Sequence, residues 1–553
     1  MESEDGLTTT LTPAAVVRGV ARPWRGTDTA LAAAAGLAGL ATRWAVRGRS
    51  LVSFDSGLLA SGLRQFDFDR EFPHPPYYPL TVVAGKVLAL WTTPTQALVL
   101  LSVLASGALC ALTYAVGLRV GGRTVGGGAA LLVLLSPTAV FNGAAALSYA
   151  LEAATSAAVG LSAWMLREKP SVARGAVAGA VLSVAVGVRP SSALFLAPVA
   201  LWAAWRDRRA LGAAVVAGAV TTLAWLVPML AAGGGLRKFL LYNGYQSRNV
   251  ILSRTAFEDG PAVVAGNLAR LGSYVPAELA FLAAVAAVAA VSALALRRHL
   301  PHRATPFLAA WALPGFLFYA VVYVGWPVFP SGYVMVLVPP VVVACALVLR
   351  RCAAAILATG APRVAVAGGL AVLVAVAAMP GAWALHWDDA LRPQRDADRH
   401  ERDWAGVESA FPPGSTAMLT FIEWHWARLE HPDYAVWGVR PYWNETGILL
   451  VQVAQGQHFQ VDRPTAADFL DGPDAPPHPI PPGVERVLVL DEGSERSLLK
   501  PWVDLTEVRL PSGHTALAFS TDGLSSVEQA LRWYDDAGHL DPSTLPAEDR
   551  RGL

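Results

Sequence analysis

The sequence is poor in charge. Only 15% of its 553 residues are Asp, Glu, Lys or Arg, against roughly 25% in soluble globular domains. The deficit is local, because residues 95–118, 124–151, 175–188, 191–205, 304–349 and 364–385 contain none of the four. Lysine is confined to Lys86, Lys169, Lys238 and Lys500. With so much Ala, Val and Gly, that Arg bias suggests a GC-rich bacterial genome. Cysteine is also scarce. Cys110, Cys345 and Cys352 lie in or beside apolar stretches, which excludes a disulfide scaffold for the cysteine-free C-terminal part. No nucleophile elbow, phosphate-binding loop or metal-ligand spacing is present, so a divalent metal cofactor has no support in ligand spacing. No convincing internal repeat exists, which weakens an inverted-repeat transporter. The formal net charge of +1 points to no nucleic-acid partner.

What remains is apolar, with 54% hydrophobic residues. Charge-free apolar runs of about 20 residues read as membrane-spanning helices. They fall at 28–46, 95–118, 126–143, 147–166, 175–188, 191–205, 210–231, 276–297, 306–327, 333–349 and 364–385, about eleven spans in a polytopic, mainly α bundle. With the N-terminus inside, the cytoplasmic side receives Arg18, Arg22 and Arg25, then Arg119/Arg123, Arg167/Lys169/Arg174, Arg206/Arg208/Arg209, Arg297/Arg298/Arg303 and Arg350/Arg351/Arg363. Every inside connection is basic, as the positive-inside rule requires. The first span reads as an uncleaved anchor rather than a signal peptide. Residues 77–92 are apolar but short, and a crossing there inverts the Arg asymmetry of every later loop, so they read as interfacial or re-entrant. The pair 175–188 and 191–205, split by Arg189-Pro190, reads as two helices that do not cross the bilayer cleanly. Residues 1–385 form the membrane domain, with outer loops at 47–94 and 232–275. Residues 386–553, rich in charge and proline, form a soluble extracytoplasmic α/β domain. The chain is therefore expected in the cell (plasma or inner) membrane, N-terminus cytoplasmic and C-terminal domain outside.

The first outer loop reads SFDSGLLASGLRQFDFDREFPHPPYYPL. Asp55 follows the first span closely. It is either a solvated loop carboxylate or, in a partly desolvated cleft, a general base for an acceptor hydroxyl. His74-Pro75-Pro76-Tyr77 is a stiff turn. It either holds the imidazole, with Tyr77 beside it, over a site or simply redirects the chain along the membrane surface. Glu152 and Arg189 sit near the outer ends of otherwise uncharged spans. Ionisable groups in lipid are costly and are usually paired or functional. These two pair with each other or line a cavity in which Arg189 binds a phosphate. Tyr149, beside Glu152, can hydrogen-bond a substrate.

The second outer loop sets Arg237, Lys238, Arg248, Arg254 and Arg270 against Glu258 and Asp259, an excess of three positive charges on the outer side. Arg suits bidentate phosphate binding, and anionic headgroups are the other candidate for the charge. Tyr242 and Tyr245 can pack on a prenyl chain or a sugar. In the tail, TAMLTF and RVLVLD read as strands and SSVEQALRWYDDAG as a helix. Most of its tryptophans read as core, and His425 with His431 is thin evidence for a metal.

The order FDSGLLASGL, HPPYYPL, SPTAVFNGAAALSYALEA, GVRPSSALFLAP and PSGYVMVLVPP resembles the C-type (GT-C) multi-spanning glycosyltransferases. It looks most like their protein O-mannosyltransferase-like branch, the relatives of glycosyltransferase family 39. The resemblance covers about residues 28–385, and order and spacing carry it rather than any single motif. It implies a membrane glycosyltransferase that takes a hexose or pentose from a polyprenyl-phosphate donor and passes it to a glycan, lipid or protein acceptor outside. Asp55 maps to the acidic residue that contacts or deprotonates the acceptor, and His74-Pro75-Pro76 maps to the HPP position. Arg189, Arg248 and Arg254 are candidates for the lipid phosphate, by chemistry more than by alignment. Relatives often carry Asp-Glu where this chain has Asp55-Ser56, and Gly where it has Tyr77, which leaves the acceptor open. The competing readings are a flippase or transporter of a lipid-linked sugar, with Glu152 and Arg189 as coupling groups, and a non-catalytic assembly protein that displays the tail.

Overall fold

A computed structural model describes residues 24–51, 53–68, 72–247, 255–257, 260–274, 304–322, 332–357, 391–420, 424–444, 447–453, 477–490, 499–513, 515–532 and 534–538. It is mainly helical, with one sheet near the C-terminus. The membrane part runs α1 Gly26–Ala45, α2 Phe54–Arg64, α3 Pro79–Leu88, α4 Pro94–Gly121, α5 Arg123–Leu135, α6 Pro137–Ala144, α7 Tyr149–Glu168, α8 Val172–Val188, α9 Ser192–Ala204, α10 Arg208–Gly233, α11 Leu236–Gln246, α12 Pro261–Tyr274, α13 Ala304–Val321, a 3-10 segment Gly332–Leu337 and α14 Val338–Leu357. Helices occupy nine of the expected spans; those at 276–297 and 364–385 lie outside the described residues.

Among the described residues four helical stretches are long and apolar enough to cross a bilayer: α4, α10, α13 and Gly332–Arg351. The α5–α6 pair, bent by 63°, makes a fifth if it is one span. The protein is a multi-pass membrane protein. Helix α3 has 10 residues, about 15 Å of rise. That is half the hydrocarbon thickness, so it does not span.

The bend between α5 and α6 has a readable cause. Pro137 has no N–H to give the preceding turn. The guanidinium of Arg43, fully buried on α1, supplies donors instead, at 2.9 Å to the carbonyls of both Val133 and Leu134. Helices α8 and α10 meet through small residues. A Cβ on Gly175 or Gly179 would overlap the backbone of Ala210 or Ala214. Ser183 and Thr222 hydrogen-bond across the seam at 2.8 Å. Close backbone approach of this kind drives helix association in lipid, where burial gives little. The central core joins α4 through α9, α13 and α14 around Leu109, Phe141, Trp164, Phe307 and Trp311. Trp311 donates to Ser156 Oγ at 3.1 Å, and Ser156 Oγ donates to the Val336 carbonyl at 2.8 Å.

The C-terminal part begins with α15, Arg392–Ala410. It continues through β1 Thr416–Thr420, α16 Trp424–Glu430, β2 Ala435–Asn444, β3 Gly447–Val453, β4 Arg486–Leu490, β5 Thr506–Arg509 and β6 Thr515–Ser520. The six strands form one mixed sheet in the order β3-β2-β1-β4-β6-β5. Strand β1 pairs parallel with β2 and β4, and the remaining pairs are antiparallel. Alternation along β1 sorts its side chains. Ala417 and Leu419 face a core with Trp437 and Phe519, whereas Met418 faces one with Phe411 and Tyr434. The strands read at TAMLTF and RVLVLD are β1 and β4.

The helix expected over SSVEQALRWYDDAG is a correction. Only Val527–Ala530 turns, as a 3-10 helix. The apolar spacing of Val527, Ala530 and Leu531 suits a helix, but all three are buried with the sheet and Leu531 bridges to Leu499, which ends the turn. Of the tail tryptophans with described side chains, Trp437 is buried, Trp502 is exposed, and Trp404 stacks on His431 at 3.4 Å.

Candidate active site

Asp55 is placed by a helix start. Ser53 caps α2, its Oγ accepting from the Ser56 amide at 3.2 Å, while the Ser53 amide donates to Ser56 Oγ at 2.9 Å. This reciprocal cap fixes the first turn. Asp55 therefore stands in the first turn with its carboxylate at the positive helix end. Its side chain is 43% exposed.

His74 faces it. The imidazole Nε2 lies 4.0 Å from Asp55 Oδ1 and 2.9 Å from the Tyr78 hydroxyl. Its side chain is 16% exposed, and Nδ1 is buried with no hydrogen-bond partner among the described residues. The backbone explains the approach. Tyr77 and Tyr78 take φ of 74° and 46°, in the left-handed region that bulky residues avoid at a cost of order 1–3 kcal/mol each. That double reversal folds the chain back, sends Tyr77 inward and turns Tyr78 toward His74.

Beneath this pair lies a buried ionic cluster. Pro190 separates α8 from α9, leaving Arg189 and Ser192 at the break. Arg189 is 6% exposed and Glu152, in the first turn of α7, is 1% exposed. Arg189 Nη1 lies 3.4 Å from Glu152 Oε2, Ser192 Oγ donates to Glu152 Oε1 at 3.1 Å, and Arg189 Nε donates to Ser191 Oγ at 3.2 Å. Three rings surround the guanidinium carbon: Tyr149 at 4.7 Å, Tyr333 at 5.0 Å and Tyr78 at 5.7 Å. Each lies within cation–π range. The Tyr319 hydroxyl donates to the Tyr333 carbonyl at 2.6 Å and anchors that ring's backbone. Tyr78 thus joins the two layers, hydroxyl on His74 and ring toward Arg189.

Asp55, His74, Tyr149, Glu152 and Arg189 come together as one cluster. Of the two open readings of Glu152 and Arg189, the structure has them paired. Tyr77 and Tyr242 lie elsewhere, 0% and 3% exposed in an aromatic cluster with Phe68 and Met229, and in this arrangement they present no face to a lipid or sugar. Tyr245 belongs to α11, but its side chain is outside the described residues, as are Arg248 and Arg254. Tyr78, Ser192, Tyr319 and Tyr333 were not singled out from the sequence. Tyr78 follows Tyr77 and Ser192 stands in VRPSS, so proximity to motif residues was their available signal. Among the described residues no three His, Cys, Asp or Glu side chains gather as a metal site.

No protein-family model matches the sequence, and no curated protein matches it either. Solved structures do match. ArnT from Cupriavidus metallidurans bound to undecaprenyl phosphate aligns with a TM-score of 0.54 at 14% identity, over 91% of this chain and 99% of that one. The apo form of that protein aligns at 0.51, also at 14% identity, over 90% and 98%. An oligosaccharyltransferase from Archaeoglobus fulgidus, in complex with zinc and sulfate, aligns at 0.48 and 13% identity, over 89% and 73%. That last likeness is too loose to support an inference. The ArnT likeness shows a shared fold, here a helical membrane bundle followed by a sheet domain.

Proposed function

We propose that the chain is a membrane glycosyltransferase that moves a sugar from a polyprenyl-phosphate donor to an acceptor on the extracytoplasmic side. The observation that carries this reading is the stacking of an accessible carboxylate, Asp55, and a neighbouring imidazole over the buried Arg189–Glu152 cluster, in a fold whose solved relative ArnT holds undecaprenyl phosphate. An outward-facing transferase needs a membrane-borne donor, because nucleotide sugars stay in the cytoplasm.

Asp55 takes the proton of the acceptor hydroxyl. The freed oxygen attacks the anomeric carbon from the face opposite the lipid phosphate. The anomeric C–O bond breaks and its electron pair leaves with the phosphate, so configuration inverts. Positive charge must meet the departing phosphate. Arg189, Arg248 and Arg254 are assigned that task, with Arg189 held ready by Glu152. His74 and Tyr149 contact the sugar or the acceptor. In this reading residues 1–385 form the transferase domain of a cell-membrane protein with a cytoplasmic N-terminus, and residues 386–553 form an extracytoplasmic domain.

Proteoliposomes loaded with radiolabelled polyprenyl-phosphate sugars from the native membrane test it. The proposal expects label to leave the lipid and appear on an acceptor at the outer face. Intact labelled lipid moving between leaflets, with no label transferred, would instead assign a flippase.

A further inference from the structure

We infer that Glu430, in the C-terminal domain, is a positioning residue for the Asp55 reaction, so that the soluble domain completes the active site rather than merely hanging from it. The inference rests on the function proposed above. Glu430 ends α16, and its Oε1 accepts two hydrogen bonds from the membrane part: the Leu51 amide at 3.2 Å and Thr95 Oγ1 at 3.0 Å. Leu51 lies two residues before the cap Ser53 and four before Asp55. Thr95 stands in the first turn of α4. One carboxylate oxygen therefore ties the entry to α2 to the start of a long spanning helix.

The other end of α2 is held by the same piece of chain. Arg64, its last residue, donates to the Leu429 carbonyl at 3.4 Å. Between these ties the apolar face of α2, with Leu59, Ala60 and Leu63, shares one buried cluster with Phe411, Met418 and Ala427 of the C-terminal domain. Tyr78, which holds His74, belongs to that cluster as well. Helix α2 has 11 residues, too few to hold its own geometry in isolation. Its angle, and with it the distance from Asp55 to His74, is set by what packs on it. A misplacement of about 1 Å can cost roughly 100-fold in rate. Glu430 is a charged contact at the Asp55 end of α2.

The test uses the full chain in nanodiscs and reads two quantities. The first is hydrogen exchange of the amides in residues 51–64. The second is transfer from radiolabelled polyprenyl-phosphate sugars extracted from the native membrane. Glu430→Ala is expected to speed exchange across 51–64 and to lower kcat roughly tenfold, with the KM for the lipid donor nearly unchanged. Glu430→Gln keeps an acceptor oxygen and is expected to restore most of both. Thr95→Val, nearly isosteric, removes one tie and is expected to give an intermediate increase in exchange. Wild-type exchange in Glu430→Ala, unchanged kcat in that variant, or a Gln variant as impaired as Ala would overturn the inference. Should Glu430→Ala fail to fold, wild-type exchange in Thr95→Val overturns it equally. An active Asp55→Asn control sinks the base assignment and leaves the exchange result standing, so the two failures are distinguishable.

Discussion

Arg189 and Glu152, 37 residues apart in the chain, face each other at 3.4 Å across the junction of α7, α8 and α9. Both are almost fully buried, so each holds the other's charge in place. Removing one partner strands the other, at a cost of about 3–5 kcal/mol. Glu152→Ala and Arg189→Ala are each expected to lower the thermal stability of the detergent-solubilised protein markedly. The double variant is expected to lose much less than the sum. Additive losses would show that the pair is not coupled.

Helices α8 and α10 are joined where side chains are smallest. Gly179→Leu puts a side chain against the Ala214 backbone and is expected to abolish the folded, monodisperse protein. Gly212→Ala, two residues before Ala214 on α10 with open space around it, is expected to be neutral or stabilising by up to about 1 kcal/mol. Size-exclusion profiles of the two variants separate these outcomes.

The left-handed Tyr77-Tyr78 turn brings the Tyr78 hydroxyl to His74 Nε2 at 2.9 Å. Tyr78→Phe keeps the ring over Arg189 and removes only the hydrogen bond. The expected result is a transfer rate lowered by about tenfold or less, with stability changed by about 1 kcal/mol. A wild-type rate would remove Tyr78 from the account of how His74 is oriented.

In the C-terminal domain the buried Tyr434 hydroxyl donates to the Phe411 carbonyl at 2.7 Å. Burial, with Glu408 and Asp433 nearby, pushes the hydroxyl up to about 12. The folded state holds this proton more tightly than the unfolded state does. The stability from this group is therefore complete below the ordinary tyrosine range near 10 and is lost as pH rises from there toward 12. Tyr434→Phe is expected to lose stability at neutral pH and to flatten the alkaline limb of a thermal-melt series. An unchanged alkaline limb would assign the titration to another group.

The membrane architecture was legible because its signal is one-dimensional. Charge-free runs marked nine stretches in which the structure has helix, including the short α8 and α9 around Arg189-Pro190; the one at 126–143 is two helices bent by 63°. Strands β1 and β4 were readable from apolar runs in a charged tail. The helix read over 525–538 failed because the i, i+3, i+4 spacing of Val527, Ala530 and Leu531 serves equally well to cover a sheet. At the site the sequence pointed to Asp55, His74, Tyr149, Glu152 and Arg189, since charge in an apolar context stands out. It did not reveal that Tyr77 would be buried while its neighbour faces His74. That depends on two left-handed residues, and no propensity rule places them on tyrosine. Nor did it reveal Glu430, an ordinary surface-type residue whose role exists only once α16 docks on α2.

The central claim is that Asp55 is the base of a sugar transfer. Asp55→Asn preserves shape and removes basicity. The decisive measurement is single-turnover transfer from radiolabelled polyprenyl-phosphate sugars by that variant in proteoliposomes, alongside its equilibrium binding of the same lipid. Loss of roughly 100-fold or more in rate with donor binding intact is the expected result. Transfer at the wild-type rate would contradict it.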